Sequence, residues 1–338
     1  MTQRSSIFAT DQNCDLQLFV DETISLSKMA HLHIETPLFE SRPLTLRSGK
    51  KIWLKFESMQ PTGSFKIRGI GRACQEYVRQ GAERFVSSSG GNAGIAAAYA
   101  GRRLSVPVVV VVPETTTNRA KALIQNEGAE VIVHGTSWQE ANSLALSMLS
   151  ETDYFLHPFD DPLIWQGHAT MIDEIAVAGA KPEAVVLSVG GGGLLCGVIE
   201  GLQRNNWTDV PLVAVETEGA DSYAASLRKS RLVELPAITS IATSLGARQV
   251  CNQAYLWSKT YPIRNVVVSD RSAIAACERF IEDHQVVVEP ACGASLAAVY
   301  ENVPELNSFN SVLVIVCGGV TSTISQLQRW SKEFVDGN

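Results

Sequence analysis

The 338-residue sequence has no C-x-x-C pair, although it holds seven cysteines, at positions 14, 74, 196, 251, 277, 292 and 317. Scattered and odd in number, they argue against a disulfide framework or structural zinc and for reduced thiols in a cytoplasmic protein. His31 and His33 form an isolated H-x-H without other clustered ligands, so a surface or core role is expected rather than metal binding. Basic residues are not in excess: 28 Lys and Arg stand against 35 Asp and Glu, a net charge of −7. That disfavours nonspecific nucleic-acid binding, which needs cationic patches to displace counterions. No apolar run approaches the ~20 residues of a membrane span. The opening MTQRSSIFATDQNCDLQLF has no apolar signal core, and Asp11 and Asp15 fit poorly with an acid-poor transit peptide. The sequon at Asn206 is read as chance in a protein that stays inside the cell. The Walker pattern is absent, which removes the usual nucleoside-triphosphate site. Ser25 to Lys28 spells S-x-x-K, but neither S-D-N nor K-T-G follows, so a penicillin-interacting serine enzyme is set aside.

What is present is a chain with 45% hydrophobic and 19% charged residues, the balance of a globular protein with a sizeable core. Its length suits roughly two domains. Short β-rich runs alternate with helical patterns, and strands are expected at Val106–Pro113, Ala129–Gly135, Ala184–Gly190, Val210–Glu216 and Ser311–Gly319. Several are apolar on both faces, as strands of a parallel sheet covered by helices on each side must be. Helices are expected at Asn92–Arg102 and at Asn118–Gly128, the latter closed by a glycine. The pattern is α/β, built from βαβ units. No repeat, low-complexity tract or long linker appears, so a second domain would be folded into the first.

Three stretches carry candidate chemistry. In PTGSFKIRG, Lys66 stands between Phe65 and Ile67 in a loop of small residues. A snorkelling surface lysine is the bland alternative. In VGGGGLLCG, a strand ends in four glycines before an apolar helical run, where free backbone N–H groups favour an anion such as phosphate. The dinucleotide fingerprint G-x-G-x-x-G fails here in every register, although Glu216 at the end of the next strand mimics a ribose-binding acid. In SSSGGNAGIAAAYAG, serine hydroxyls, glycine amides and Asn92 precede an alanine-rich helix, which could cradle a carboxylate or be a tight βα turn.

Together these motifs resemble the β-family (fold type II) of pyridoxal-phosphate enzymes, and within it the animal-type L-serine dehydratases. The likeness runs from about Thr36 to the C-terminal strand, through QPTGSFKIRGIG, SSSGGNAGIAAAYA, PFDDPLIWQGHA, SVGGGGLLCGV, EPACGASLAAVY and VIVCGG. It implies a tryptophan-synthase-β-like fold of two doubly wound α/β domains with the cofactor in the cleft between them. The boundaries it implies are 1–62 with 164–338 for the large domain and 63–163 for the small one. Lys66 then matches the lysine that forms the Schiff base with the cofactor, Phe65 the residue packed on its ring, and Asn92 the one bonding its 3′-oxygen. Gly190, Gly191, Gly192, Gly193 and Leu194 match the phosphate cup, and Cys317 the residue beside the pyridine nitrogen. Ser89, Gly90, Gly91, Asn92 and Ala93 match the loop holding the substrate carboxylate.

Chemically, such a lysine needs an uncharged amine, which desolvation and nearby positive charge favour. Cys317 is a weak acid and would not hold a proton on the pyridine nitrogen, which suits prompt β-elimination. The activity implied is conversion of L-serine to pyruvate and ammonia, and of L-threonine to 2-oxobutanoate. A threonine dehydratase with serine as minor substrate, or a non-enzymatic binder of pyridoxal phosphate or an amino acid, are the alternatives. Serine racemases carry a serine where Gly90 stands, so racemisation is disfavoured. Glu216, Ala220 and Ser222, with the backbone of Leu245 and Ala247, match a cation site; one carboxylate among hydroxyl and carbonyl groups predicts potassium rather than Mg²⁺. Too little chain follows Gly319 for the regulatory domain of biosynthetic threonine dehydratases, so a catabolic role is expected. A homodimer in the cytoplasm is expected as well.

Overall fold

The computed structural model describes residues 30–336. The S-x-x-K stretch, Cys14 and the opening segment lie outside the described residues. Two open sheets organise the chain from His31 onward. The first has six strands: β1 (Leu38–Glu40), β2 (Lys51–Lys55), β7 (Ala184–Ser188), β8 (Leu212–Thr217), β9 (Ile263–Val268) and β10 (Ser311–Ile315), in the order β1-β2-β10-β7-β8-β9. All its pairings are parallel except β1 with β2. The second is fully parallel, with β3 (Arg84–Ser87), β4 (Val108–Val112), β5 (Glu130–Val133) and β6 (Asp153–Leu156) in the order β5-β4-β3-β6.

Burial follows the sequence pattern. Every residue of β4, β7 and β8 is buried, as expected of largely apolar strands covered on both faces. β5 differs: it is an edge strand whose side chains are half-buried or exposed, because no strand among the described residues lies beyond it. The expected helices are α3 (Asn92–Leu104) and α4 (Asn118–Asn126). α4 stops short of Gly128, which follows it at φ +85°, a left-handed conformation that glycine adopts without strain.

Both sheets reverse strand order once, between β3 and β6 in one and between β7 and β10 in the other. The crevice beyond the carboxyl ends of strands at such a reversal is where open α/β sheets bind ligands. Four loops therefore converge: those following β3, β6, β7 and β10.

One more element enters this region. α2 (Lys66–Arg79) begins at Lys66 and crosses α6 (Pro162–Val177) closely. A Cβ on Gly167 would lie 2.2 Å from the Arg68 carbonyl oxygen, so only glycine permits the approach. The first turn of α2 is also pinned by charge. Arg68, fully buried, pairs with Glu57 at 2.7 Å and with Glu174 at 2.6 Å, and Glu174 also pairs with Lys55 at 2.5 Å. Two cations and two carboxylates thus neutralise one another inside the protein. Removing one partner of such a network leaves an unpaired buried charge, which costs about 3–5 kcal/mol.

Candidate active site

Lys66 is the first residue of α2, half-buried by surface area yet densely surrounded. Its Nζ donates to the Pro158 carbonyl at 2.6 Å and stands 5.2 Å from the centre of the Phe65 ring. Burial pushes its amine down to about 8, against the opposing influence of Cys317, Glu289 and Cys251. The free-amine share near neutral pH is therefore raised above that of a solvated lysine, and it becomes dominant above about 8. Phe65 is tied into the β10 end through its N–H, which donates to the Cys317 carbonyl at 3.0 Å.

The β7 loop is the tetraglycine turn. Gly192 has φ +90° and caps α7 (Gly193–Arg204). The amides of Gly190, Gly191, Gly192, Gly193 and Leu194 find no acceptor among the described residues. They stand at the positive end of the α7 dipole, an arrangement that binds an anion. There is no room for side chains. A Cβ on Gly191 would lie 2.2 Å from the Phe159 ring, one on Gly193 2.6 Å from the Phe159 carbonyl oxygen, and one on Gly190 2.9 Å from the Leu245 backbone.

The β3 loop runs through Ser89, Gly90 and Gly91 into α3, whose first residues are Asn92 and Ala93. The amides of Gly90, Asn92 and Ala93 again find no acceptor among the described residues, while the Gly91 N–H donates to Ser89 Oγ at 3.4 Å. Asn92 Nδ2 donates to Glu289 Oε1 at 2.8 Å and has a 3.4 Å contact with Ser244 Oγ; its Oδ1 is buried without a partner. An orphaned buried carbonyl oxygen is costly unless a ligand or water meets it. A Cβ on Gly90 would meet Thr116, 2.6 Å from its Oγ1.

At the end of β10, the Cys317 thiol is raised well above its usual range, first by its contact with Cys292 and then by burial. It remains a neutral thiol. Glu289 lies between the loops, buried, accepting from Asn92 and from the Thr321 hydroxyl. Burial raises its carboxyl group, opposed by those hydrogen bonds and by Lys66.

Of the residues matched to a cation site, Leu245 lies against the same turn. Glu216 is buried at the end of β8 and accepts from the N–H groups of Tyr223 and Ala224, both at 2.8 Å, and from Asn265 at 3.0 Å. Burial pushes it up to about 7. It has no cationic partner among the described residues. The hydroxyl of Ser222, first residue of α8 (Ser222–Lys229), is buried and unpartnered. Ala220 and Leu245 are buried, Ala247 is half-buried, and the Leu245 backbone abuts Gly190. Among the described residues no three His, Cys, Asp or Glu side chains form a metal-ligand cluster.

Residue-by-residue matching missed Pro158, Phe159, Glu289 and Ser244. The carbonyl of Pro158 leaves no trace in sequence. Glu289 does: it is a lone acid in the apolar run VVVEPACG, where an unsolvated charge needs a reason.

Comparisons with known proteins identify the family. Residues 29–318 match the family described as pyridoxal-phosphate dependent enzyme. The human L-serine dehydratase/L-threonine deaminase is 47% identical over 313 residues, covering 89% of this chain and 95% of that protein. The L-serine dehydratase of Dictyostelium discoideum is 41% identical, covering 91% of this chain and 94% of its own. A solved fungal L-serine ammonia-lyase from Rhizomucor miehei superposes with a TM-score of 0.86 at 36% identity, covering 90% of this chain and 99% of that one.

Proposed function

Because the chain belongs to the pyridoxal-phosphate-dependent enzyme family, we propose that it removes ammonia from L-serine to give pyruvate, and from L-threonine to give 2-oxobutanoate. The observation that carries this reading is the convergence of Lys66, the bare amides of the β7 turn and the Asn92 loop on one crevice. Its relatives bearing serine dehydratase and threonine deaminase names span about nine-tenths of the chain.

These residues fit pyridoxal phosphate. Lys66 would hold its aldehyde carbon, the amides of Gly190 to Leu194 its phosphate, and Asn92 its 3′-oxygen, with Phe65 against the ring and Cys317 beside the ring nitrogen. Bound, the cofactor supplies an electron sink that lets the α-proton depart and hydroxide leave Cβ. The protein does the rest. The Ser89–Gly90–Gly91–Asn92–Ala93 loop receives the substrate carboxylate on its free amides. Lys66, with its amine near about 8, takes the α-proton. Cys317 stays a neutral thiol and places no negative charge at the ring nitrogen, so no proton is fixed there. Gly90 offers no donor for the opposite face of Cα, which favours elimination over racemisation.

The orphaned Ser222 hydroxyl and the unpaired Glu216 carboxylate support a monovalent cation, which we assign as potassium, held with the carbonyls of Ala220, Leu245 and Ala247. Leu245, one of the residues that would hold it, abuts Gly190, so loss of the ion would be felt at the phosphate turn through that residue. Exchanging sodium for potassium should lower activity and the thermal midpoint, and Glu216→Gln should abolish the difference. Segment 63–163, which contains all of the second sheet and no strand of the first, is taken as the smaller domain, with 30–62 and 164–336 as the larger; the remainder of the expected 1–62 and 164–338 lies outside the described residues. A reducing compartment such as the cytoplasm suits the six described cysteines, all buried and free. No helix among the described residues is long and apolar enough to cross a membrane. A homodimer is our expectation, checked by light scattering.

The test is keto-acid release from L-serine, L-threonine and D-serine, with Lys66→Ala alongside. Lysine-dependent pyruvate from L-serine supports the reading; no keto acid from any substrate, despite bound cofactor and potassium, rejects it.

A further inference from the structure

The turn after β6 contains a side chain that the proposed chemistry does not use. His157 is half-buried, and its Nδ1 accepts two backbone N–H groups, from Phe159 at 3.3 Å and from Asp160 at 2.7 Å. A ring nitrogen that accepts carries no proton, so the ring proton sits on Nε2. One acceptor shared by two successive residues fixes the shape of the turn. The His157 ring also packs edge-on against the Phe159 ring, with centres 4.7 Å apart.

That turn supports both anchors of the site. The Pro158 carbonyl accepts from Lys66 at 2.6 Å. The Phe159 ring occupies the space beside Gly191, and the Phe159 carbonyl oxygen abuts Gly193 while accepting from Trp165 Nε1 at 2.8 Å.

We propose that His157 is a positioning residue whose Nδ1 fixes the Pro158–Phe159 turn, setting at once the place of the Lys66 amine and the shape of the Gly191–Gly193 cradle. The proposal rests on Lys66 and that cradle being the cofactor's anchors. His157 is assigned a role through the turn rather than by contact with substrate or cofactor. Its removal would free two N–H groups in a partly exposed turn, where water can meet them, so the fold survives while the anchors lose register.

Asparagine presents Oδ1 close to where histidine presents Nδ1, whereas leucine presents no acceptor. The experiment titrates pyridoxal phosphate into apo wild type, His157→Asn and His157→Leu by fluorescence, with thermal midpoints of the apo proteins measured in parallel. A second readout is the pH midpoint at which Lys66 of each apo protein reacts with an amine reagent, located by mass spectrometry. The leucine variant should bind pyridoxal phosphate at least about tenfold more weakly and shift the Lys66 midpoint, and the asparagine variant should lie within about threefold of wild type. Should the leucine variant fail to fold, His157→Gln, whose acceptor sits one bond too far out, takes its place with the same expected loss. Wild-type affinity in the leucine variant, or equal losses in the leucine and asparagine variants, would overturn the proposal. If borohydride fails to fix pyridoxal phosphate on Lys66 of the wild type, the assignment of Lys66 falls, and the proposal with it.

Discussion

The two glycine-rich turns of the site use the missing side chain in opposite ways. In the β7 turn, Cβ positions at Gly190, Gly191, Gly192 and Gly193 run into backbone, an aromatic ring or packed side chains, all within 2.9 Å. In the β3 turn, Gly91 faces open space, and Gly90 meets only the half-buried side chain of Thr116. One turn is closed around a ligand of fixed shape. The other keeps a free face. This division suits a site that holds one constant group, the cofactor phosphate, and admits a substrate that comes and goes.

Gly191→Ala should break the closed turn and give the largest effect. The new methyl would displace the Phe159 ring, a rigid group whose neighbouring carbonyl holds Lys66, and overpacking of this kind costs about 1–3 kcal/mol. Cofactor affinity should fall by one to two orders of magnitude in a fluorescence titration, roughly the same energy expressed as binding.

The same substitution should act at a distance on Lys66. In the wild-type apo protein the amine lies below its ordinary value because burial disfavours the charged form. The free amine therefore becomes dominant as pH rises through about 8, and reaction of Lys66 with an amine reagent should show that midpoint by mass spectrometry. Gly191→Ala, by moving Pro158, should expose the amine and carry the midpoint upward.

Gly90→Ala should do less. Thr116 sits at the rim and can turn aside, so cofactor affinity should hold while the KM for serine changes several-fold in steady-state kinetics. Thr116→Ala in the same background should restore the original value. Gly91→Ala should change least, with thermal midpoint and cofactor affinity both at the wild-type level. A Gly91 variant that lost cofactor as readily as the Gly191 variant would erase the distinction between the turns.

Much of this was legible in the sequence for physical reasons. Five valines in a row at 108–112 cannot face water on either side, and they form a strand buried throughout. Four glycines after an apolar strand announce a close approach of backbone to something. The exposure of β5 was not legible, since an apolar run does not reveal whether a neighbouring strand exists on each side. The ion-paired Arg68 also escaped notice, because its partners Glu57, Glu174 and Lys55 are dispersed through the chain and meet only when α2 crosses α6. Pro158 and His157 escaped for a related reason. Their contributions are a carbonyl aimed by a turn and a ring nitrogen accepting from backbone, which depend on conformation rather than residue type.

The most direct test of the whole account is to reduce the protein with borohydride in the presence of pyridoxal phosphate and to locate the modified lysine by peptide mapping. The account predicts a single phosphopyridoxyl group on Lys66, lost in Lys66→Ala and strongly diminished in Gly191→Ala. Modification at another lysine, or full modification of Lys66 despite Gly191→Ala, would contradict it.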